Sequence, residues 1–145
     1  MEPVSQTAPD DLRVIRLQSV PHAFGELLVA EAGILPFEPR RTYFVHGIPA
    51  GATRGAHAHR RTREAIIALR GSFRATVDRI GQSPRVFRLS EPREALLVPP
   101  LCWITLDEFS AGASFLVVAS EPYDEADYIR DRATFEGLAL REHRE

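Results

Sequence analysis

Residues 54–64 read RGAHAHRRTRE, placing His57 and His59 one residue apart and Glu64 five residues further on. Imidazole, with an unperturbed pKa of about 6.5, is the side chain best suited to taking and returning a proton near neutral pH. In an extended strand alternate side chains share a face, so His57 and His59 point one way and Ala56 and Ala58 the other. Two imidazoles with a carboxylate also make a three-ligand facial set for Fe(II), Mn(II) or Zn(II). A second group of candidates lies upstream in RTYFVH, residues 41–46, where Arg41 and Tyr43 share a face by the same rule. Tyr43 can relay a proton or donate to a developing oxyanion. Arg41 and Arg54 offer guanidinium groups that pair phosphate oxygens in bidentate fashion. Trp103 supplies a surface for a base or a sugar, or else core packing. Tyr123 and Asp124 either close a pocket or form the turn in Ser-Glu-Pro-Tyr-Asp. Cys102 reads as a small buried residue rather than a nucleophile.

The elements that must position these residues are short strands. Runs with period two or continuous apolar character cover 12–17, 25–31, 41–46, 56–59, 64–69, 72–78, 85–89, 94–99, 103–109 and 113–120, separated by Pro, Gly, Asp and Ser. No long helical period lies between them, which predicts an all-β antiparallel sandwich or barrel. RIGQSP at 79–84 reads as a hairpin tip. Residues 1–11 read as a disordered leader, and 12–145 as one domain. From 124 onward the chain becomes charged, with Tyr128, Ile129 and Phe135 as apolar anchors for a short helix or two.

Composition narrows the partners. A net charge of −2 excludes a broad nucleic-acid footprint, although all 18 basic residues are arginine and so suit a phosphorylated small ligand. The longest apolar stretch, residues 115–119, is far below the roughly 20 residues a membrane span needs. One cysteine permits no internal disulfide, and a polar N-terminus has no signal core, so a cytoplasmic location is expected.

The series Gly51, His57, His59, Glu64 and Gly71 resembles the first sequence motif of the cupin superfamily, which implies a single-domain jelly-roll barrel. The second cupin motif falls on PPLCWITLDEF, residues 99–109, where the place of its metal-binding histidine is taken by Ile104. Four segments resemble one cupin branch more narrowly, the nucleotide-sugar 3,4-ketoisomerases. They are LPFEPRRTYFVHGI (35–48), RGAHAHRRTREAIIALRGSF (54–73), LLVPPLCWITLDEFS (96–110) and VVASEPYDEADYIRDRATF (117–135).

The resemblance implies a cofactor-independent isomerase of deoxysugar biosynthesis that moves the keto group of a dTDP-linked 4-keto-6-deoxyhexose from C4 to C3 through an enediol. It implies His59 as the principal base with His57 orienting it, or the reverse, and Tyr43 as a proton relay. Arg41, Arg54, Glu64, Trp103 and Tyr123 would contact the substrate. It further implies a homodimer, with the strand LRVIRL at 12–17 exchanged between subunits, an arrangement that also covers an exposed sheet edge. Three positions depart from the branch: Glu64 where its members have glutamine, Ile104 where many have histidine, and Phe44 where many have a hydroxylated aromatic. Two alternatives stay open, a metal-dependent cupin enzyme built on His57, His59 and Glu64, and a non-catalytic nucleotide-sugar binding module.

Overall fold

The protein is described by a computed structural model covering residues 11–144; the expected leader at 1–10 lies outside the described residues. Twelve strands and one α-helix follow in order: β1 (Arg13–Arg16), β2 (Gln18–His22), β3 (Gly25–Val29), β4 (Arg41–Val45), β5 (Arg54–His59), β6 (Glu64–Arg70), β7 (Phe73–Asp78), β8 (Arg85–Leu89), β9 (Glu94–Val98), β10 (Trp103–Asp107), β11 (Ser114–Ala119), β12 (Tyr128–Ile129) and α1 (Arg132–Arg144). One five-stranded sheet runs β1-β9-β6-β11-β4 and a second runs β12-β5-β10-β7-β8; β2 and β3 form a separate hairpin, and all named pairs are antiparallel. This is the jelly-roll barrel that the strand pattern and the resemblance lead one to expect.

The core explains why some strands alternate and others do not. Between the sheets Ile66, Ala68, Phe73, Val77, Ile104, Leu106, Phe115 and Val117 pack into one cluster. On the outer face of the first sheet, Ala65, Ile67, Leu97 and Val118 are covered by Leu28, Ile34, Leu35 and Phe37. Strand β6 is therefore buried on both faces, and EAIIAL reads as a continuous apolar run rather than an alternating one. The outer face of the second sheet is covered by α1, whose Phe135 packs with Ala58, Trp103 and Ile129.

The tail holds one α-helix. Its N-cap is Asp131, which accepts from the Thr134 backbone N–H at 2.9 Å and the Thr134 hydroxyl at 2.8 Å. Before it, Glu125–Asp127 make a single 3-10 turn capped by Asp124, which accepts from the Ala126 N–H at 3.0 Å. Strands β2 and β12 were not expected. β2 is exposed along its whole length and carries Pro21, so it has neither an apolar face nor strand composition to mark it. β12 is two residues long and is defined by its partner alone. Among the described residues no helix is long and apolar enough to cross a membrane.

Candidate active site

Strand β5 carries the site because it is irregular. Ile104 pairs with His57 and the next residue, Thr105, pairs with Gly55, so Ala56 is the extra residue of a β-bulge. Gly55 and Ala56 both have positive φ, 82° and 58°. A Cβ on Gly55 would lie 2.8 Å from the Ile104 carbonyl oxygen, so only glycine lets β5 approach β10 there. In a regular strand residues 54 and 57 face opposite ways; the bulge turns Arg54 and His57 into the same cavity.

That cavity has a mouth of about 480 Å³ lined by Arg41, Tyr43, Arg54, Gly55, His57, Tyr123, Tyr128 and Arg130. It continues inward to a space of about 70 Å³, where Tyr43, His57 and Glu64 meet apolar walls that include Ile66, Ile104, Phe115 and Val117. Tyr43 and Arg41 face it together from β4, as the two-residue spacing predicts. The Arg41 guanidinium stands 5.3 Å from the Tyr43 ring centroid and 5.7 Å from that of Tyr123. Its Nε is buried without a hydrogen-bond partner among the described residues. A buried donor in that condition is a site for an anionic acceptor. Arg130 is held differently, by two bonds to Glu125 at 2.6 and 3.0 Å, and Glu125 also accepts from the Tyr123 hydroxyl at 2.6 Å. These bonds hold the Glu125 carboxyl down at about 2, Arg130 contributing most.

Behind the cavity wall lies a buried polar chain. The Tyr43 hydroxyl donates to Glu64 Oε2 at 2.7 Å. Glu64 Oε1 faces His59 Nε2 at 3.5 Å, an electrostatic contact rather than a hydrogen bond, and His59 Nδ1 meets Asp127 Oδ2 at 3.0 Å. Asp127 also accepts from the Thr62 hydroxyl and, through Oδ1, from the Arg61 N–H at 2.8 Å. His59, Thr62, Glu64 and Asp127 are all buried.

The two histidines consequently differ. For His57 burial is the largest influence and, with the charge of His59, outweighs Glu64 and lowers its pKa. For His59 burial is again the largest influence and opposes charge, but Glu64 and Asp127 together override it and raise the pKa. Burial also opposes the charge on Glu64, yet His59, Tyr43 and His57 hold its pKa below the ordinary value. Burial first, then the adjacent Glu64 charge and bond, drive the Tyr43 pKa up, so the phenol keeps its proton.

The structure thus brings together His57, His59, Tyr43, Arg41, Arg54, Glu64 and Tyr123 around one site. His57 lines the cavity, whereas His59 lies behind it, packed on Tyr128 with ring centroids 4.3 Å apart. Trp103 is placed elsewhere: it sits beneath α1 with its ring centroid 5.6 Å from that of Phe135, on the side of β10 opposite the cavity, so it packs rather than stacks on a ligand. Ile104 lines the inner cavity, while Phe44 points outward and is 65% exposed. Asp127, Thr62, Tyr128 and Arg130 were not foreseen as site residues. The one signal was the run YDEADYIRD, where acidic, aromatic and basic side chains crowd together without a helical or strand period. The ligand atoms of His57, His59 and Glu64 lie within 4.8 Å of one another, a donor set that fits a divalent cation.

Comparison with known proteins gives consistent matches. The profile of the FdtA family, described as WxcM-like, C-terminal, matches residues 10–139. The TDP-4-oxo-6-deoxy-alpha-D-glucose-3,4-oxoisomerase of Aneurinibacillus thermoaerophilus is 32% identical over 124 residues, covering 85% of this chain and 88% of that protein. Among solved structures, the sugar 3,4-ketoisomerase QdtA of Thermoanaerobacterium thermosaccharolyticum in complex with TDP superposes with a TM-score of 0.86 at 29% identity, over 90% of this chain and 96% of that one. A His-to-Asn mutant of the same enzyme, in complex with TDP-4-keto-6-deoxyglucose, superposes with a TM-score of 0.85 at 28% identity, over 90% and 94% of the two chains.

Proposed function

The chain belongs to the FdtA family (WxcM-like, C-terminal), and from that premise we propose that it is a sugar-nucleotide 3,4-ketoisomerase acting on a dTDP-linked 4-keto-6-deoxyhexose. The observation that carries the reading is the shared cavity: an imidazole that burial keeps uncharged, a phenol, and two arginines, Arg41 and Arg54, without acidic partners among the described residues face one another across it.

The reaction breaks the C3–H bond, forms a C3–C4 double bond and protonates O4; the enediol then loses the O3 proton and gains a proton on C4. His57 removes the C3 proton and returns it to C4, because it faces the cavity and burial keeps it neutral. His59, the base the strand pattern allowed equally, acts from behind. As Tyr43 gives its proton to O4, Glu64 replaces it with one drawn from His59, and the second half of the reaction runs the relay back from O3. Arg41, Arg54 and Arg130 bind the diphosphate at the mouth, and Tyr123 and Tyr128 wall it. Incubation with dTDP-4-keto-6-deoxyglucose in deuterated buffer, followed by NMR, is expected to give the 3-keto sugar, with label at C4 in proportion to the exchange of the His57 proton with solvent before its return; no product would refute the assignment.

A second reading rests on the compact donor set of His57, His59 and Glu64, which would hold a divalent ion and supply Lewis-acid polarisation of the sugar carbonyl. Stoichiometric metal in tag-free protein, with activity lost in EDTA, would establish it over the cofactor-independent route.

We further propose that residues 12–145 act as one domain, in a cytoplasmic homodimer. Val20, Phe24 and Leu27 stand exposed on the β2–β3 hairpin, 44%, 94% and 62% accessible, and suit burial against a second copy. Exchange of LRVIRL would replace the β1–β9 pairing within the chain by the same pairing between chains. A monomer by light scattering at micromolar concentration would refute the dimer.

A further inference from the structure

Resting on that reading, we propose that Asp127, a residue of the C-terminal tail that lies outside the substrate cavity, is a positioning residue for proton transfer, fixing the His59 ring so that Nε2 faces Glu64.

The geometry leaves His59 little freedom. Its Nδ1 lies 3.0 Å from Asp127 Oδ2, and since a carboxylate can only accept, Nδ1 carries the proton of that bond. Asp127 is itself immobile: the Arg61 N–H reaches Oδ1 at 2.8 Å, the Thr62 hydroxyl reaches Oδ2, and the Arg60 N–H reaches its backbone carbonyl at 2.9 Å. The Arg61 guanidinium stands 3.8 Å from Oδ1. The next residue pairs with β5, Tyr128 opposite His59, so the tail is registered on the strand it orients. Asp127 is 2% exposed, and burying a carboxylate is costly unless its oxygens are used. Two protein donors, the Arg61 N–H and the Thr62 hydroxyl, and the ring nitrogen use them.

Replacing Asp127 by asparagine is nearly isosteric but changes the donors. With its oxygen kept by the Arg61 N–H, the amide NH2 falls where Oδ2 was, facing Nδ1–H, and the ring must give up that tautomer or turn. A comparable carboxylate-to-amide change beside a catalytic histidine costs ~10⁴ in turnover; Asp127→Asn is expected to lower kcat by on the order of 100-fold because here the histidine acts at second hand. KM and dTDP affinity should stay within about twofold, since no Asp127 atom lines the cavity. In the wild type ¹H–¹⁵N NMR should show a slowly exchanging, hydrogen-bonded Nδ1–H on His59, absent from the variant. Thr62→Val, which keeps the carboxylate but frees Oδ2 of one donor, should fall between the two and keeps the test open if Asp127→Asn fails to fold. Unchanged kcat in a folded Asp127→Asn protein, a parallel loss of dTDP affinity, or the absence of the Nδ1–H signal in the wild type would overturn the proposal. If wild-type protein has no isomerase activity, the functional assignment fails, and the NMR signal alone still decides whether Asp127 fixes the ring.

Discussion

The cavity wall and the polar chain behind it are built from neighbouring residues by opposite rules. His57, Arg41 and Arg54 face open space, and the Arg41 Nε has no hydrogen-bond partner among the described residues; His59, Glu64, Thr62 and Asp127, one side chain deeper, are buried and are held by one another through hydrogen bonds and charge. The same strand, β5, serves both regions two residues apart. Arg41 and Arg54, which meet the substrate, have no acidic partner among the described residues, whereas the groups that govern proton position are held by one another. Substitutions in the wall should therefore act on chemistry or on binding separately, while those in the chain should act on turnover and stability but spare binding.

The largest break in that comparison is His57→Asn. Loss of a positioned general base costs about 10²–10⁴ in rate, and the upper end is expected here, with dTDP affinity by calorimetry unchanged. Turnover within tenfold of wild type would return the base to His59 and erase the distinction between the regions. Next in size is the support of both regions from outside. Phe135 is fully buried against Trp103, Ala58 and Ile129, and Phe135→Ala should destabilise by about 3–5 kcal/mol, read as a loss of thermal midpoint with near-normal kcat at low temperature. Persistent loss of kcat in folded protein would mean that α1 tunes the site and does not merely cover β5.

Glu64→Gln is the sharper test of the chain. Glutamine keeps an acceptor for the Tyr43 hydroxyl but cannot carry a proton, so kcat should fall roughly tenfold with KM unchanged. Full activity would mean that Glu64 serves as the glutamine of the 3,4-ketoisomerases does, and that Tyr43 works without a relay. On the wall, Arg54→Ala should raise KM several-fold, about 1–1.5 kcal/mol for a solvent-exposed phosphate contact, with kcat preserved; Arg54 is exposed and has no ion pair among the described residues.

How much of this was written in the chain depends on whether a residue's environment is local. The strands β4 to β11 follow from alternation and turn residues, and the shared faces of Arg41 with Tyr43 and of His57 with His59 follow from period two alone. Arg54 was named for its charge, but its entry into the cavity depends on a bulge that no period reports. Trp103 was misjudged because an aromatic that packs beneath a helix and one that stacks on a sugar look alike until the helix is placed. Asp127 was invisible for a different reason. Its partner, His59, is 68 residues away, and the two-residue strand that joins them has no composition of its own. Length and pairing with β5 created that element, and both are tertiary.

The smallest expected effect separates the two histidines by sign. A histidine whose folded pKa lies below 6.5 costs stability when the pH drops: the unfolded chain binds its proton first, so the cost is absent above about 6.5 and fully present below the folded pKa. His57 is in that state, because burial chiefly, and the charge of His59, disfavour its cation. A histidine with a raised folded pKa does the reverse, contributing stability below about 6.5 that is lost as pH rises through the folded value. His59 is in that state, where Glu64 and Asp127 overcome its burial. The pair should bow the stability curve downward on both sides of about pH 6.5, measured by urea unfolding across pH. His57→Asn should flatten the acid side, and Asp127→Asn should reduce the alkaline side, where Glu64 still acts on His59. The rate should follow the wall and not the chain: the acid limb of kcat/KM belongs to His57 and should lie below its ordinary value. An acid limb above 6.5 would place the working base on the raised group, His59, and would make the buried chain the seat of the chemistry.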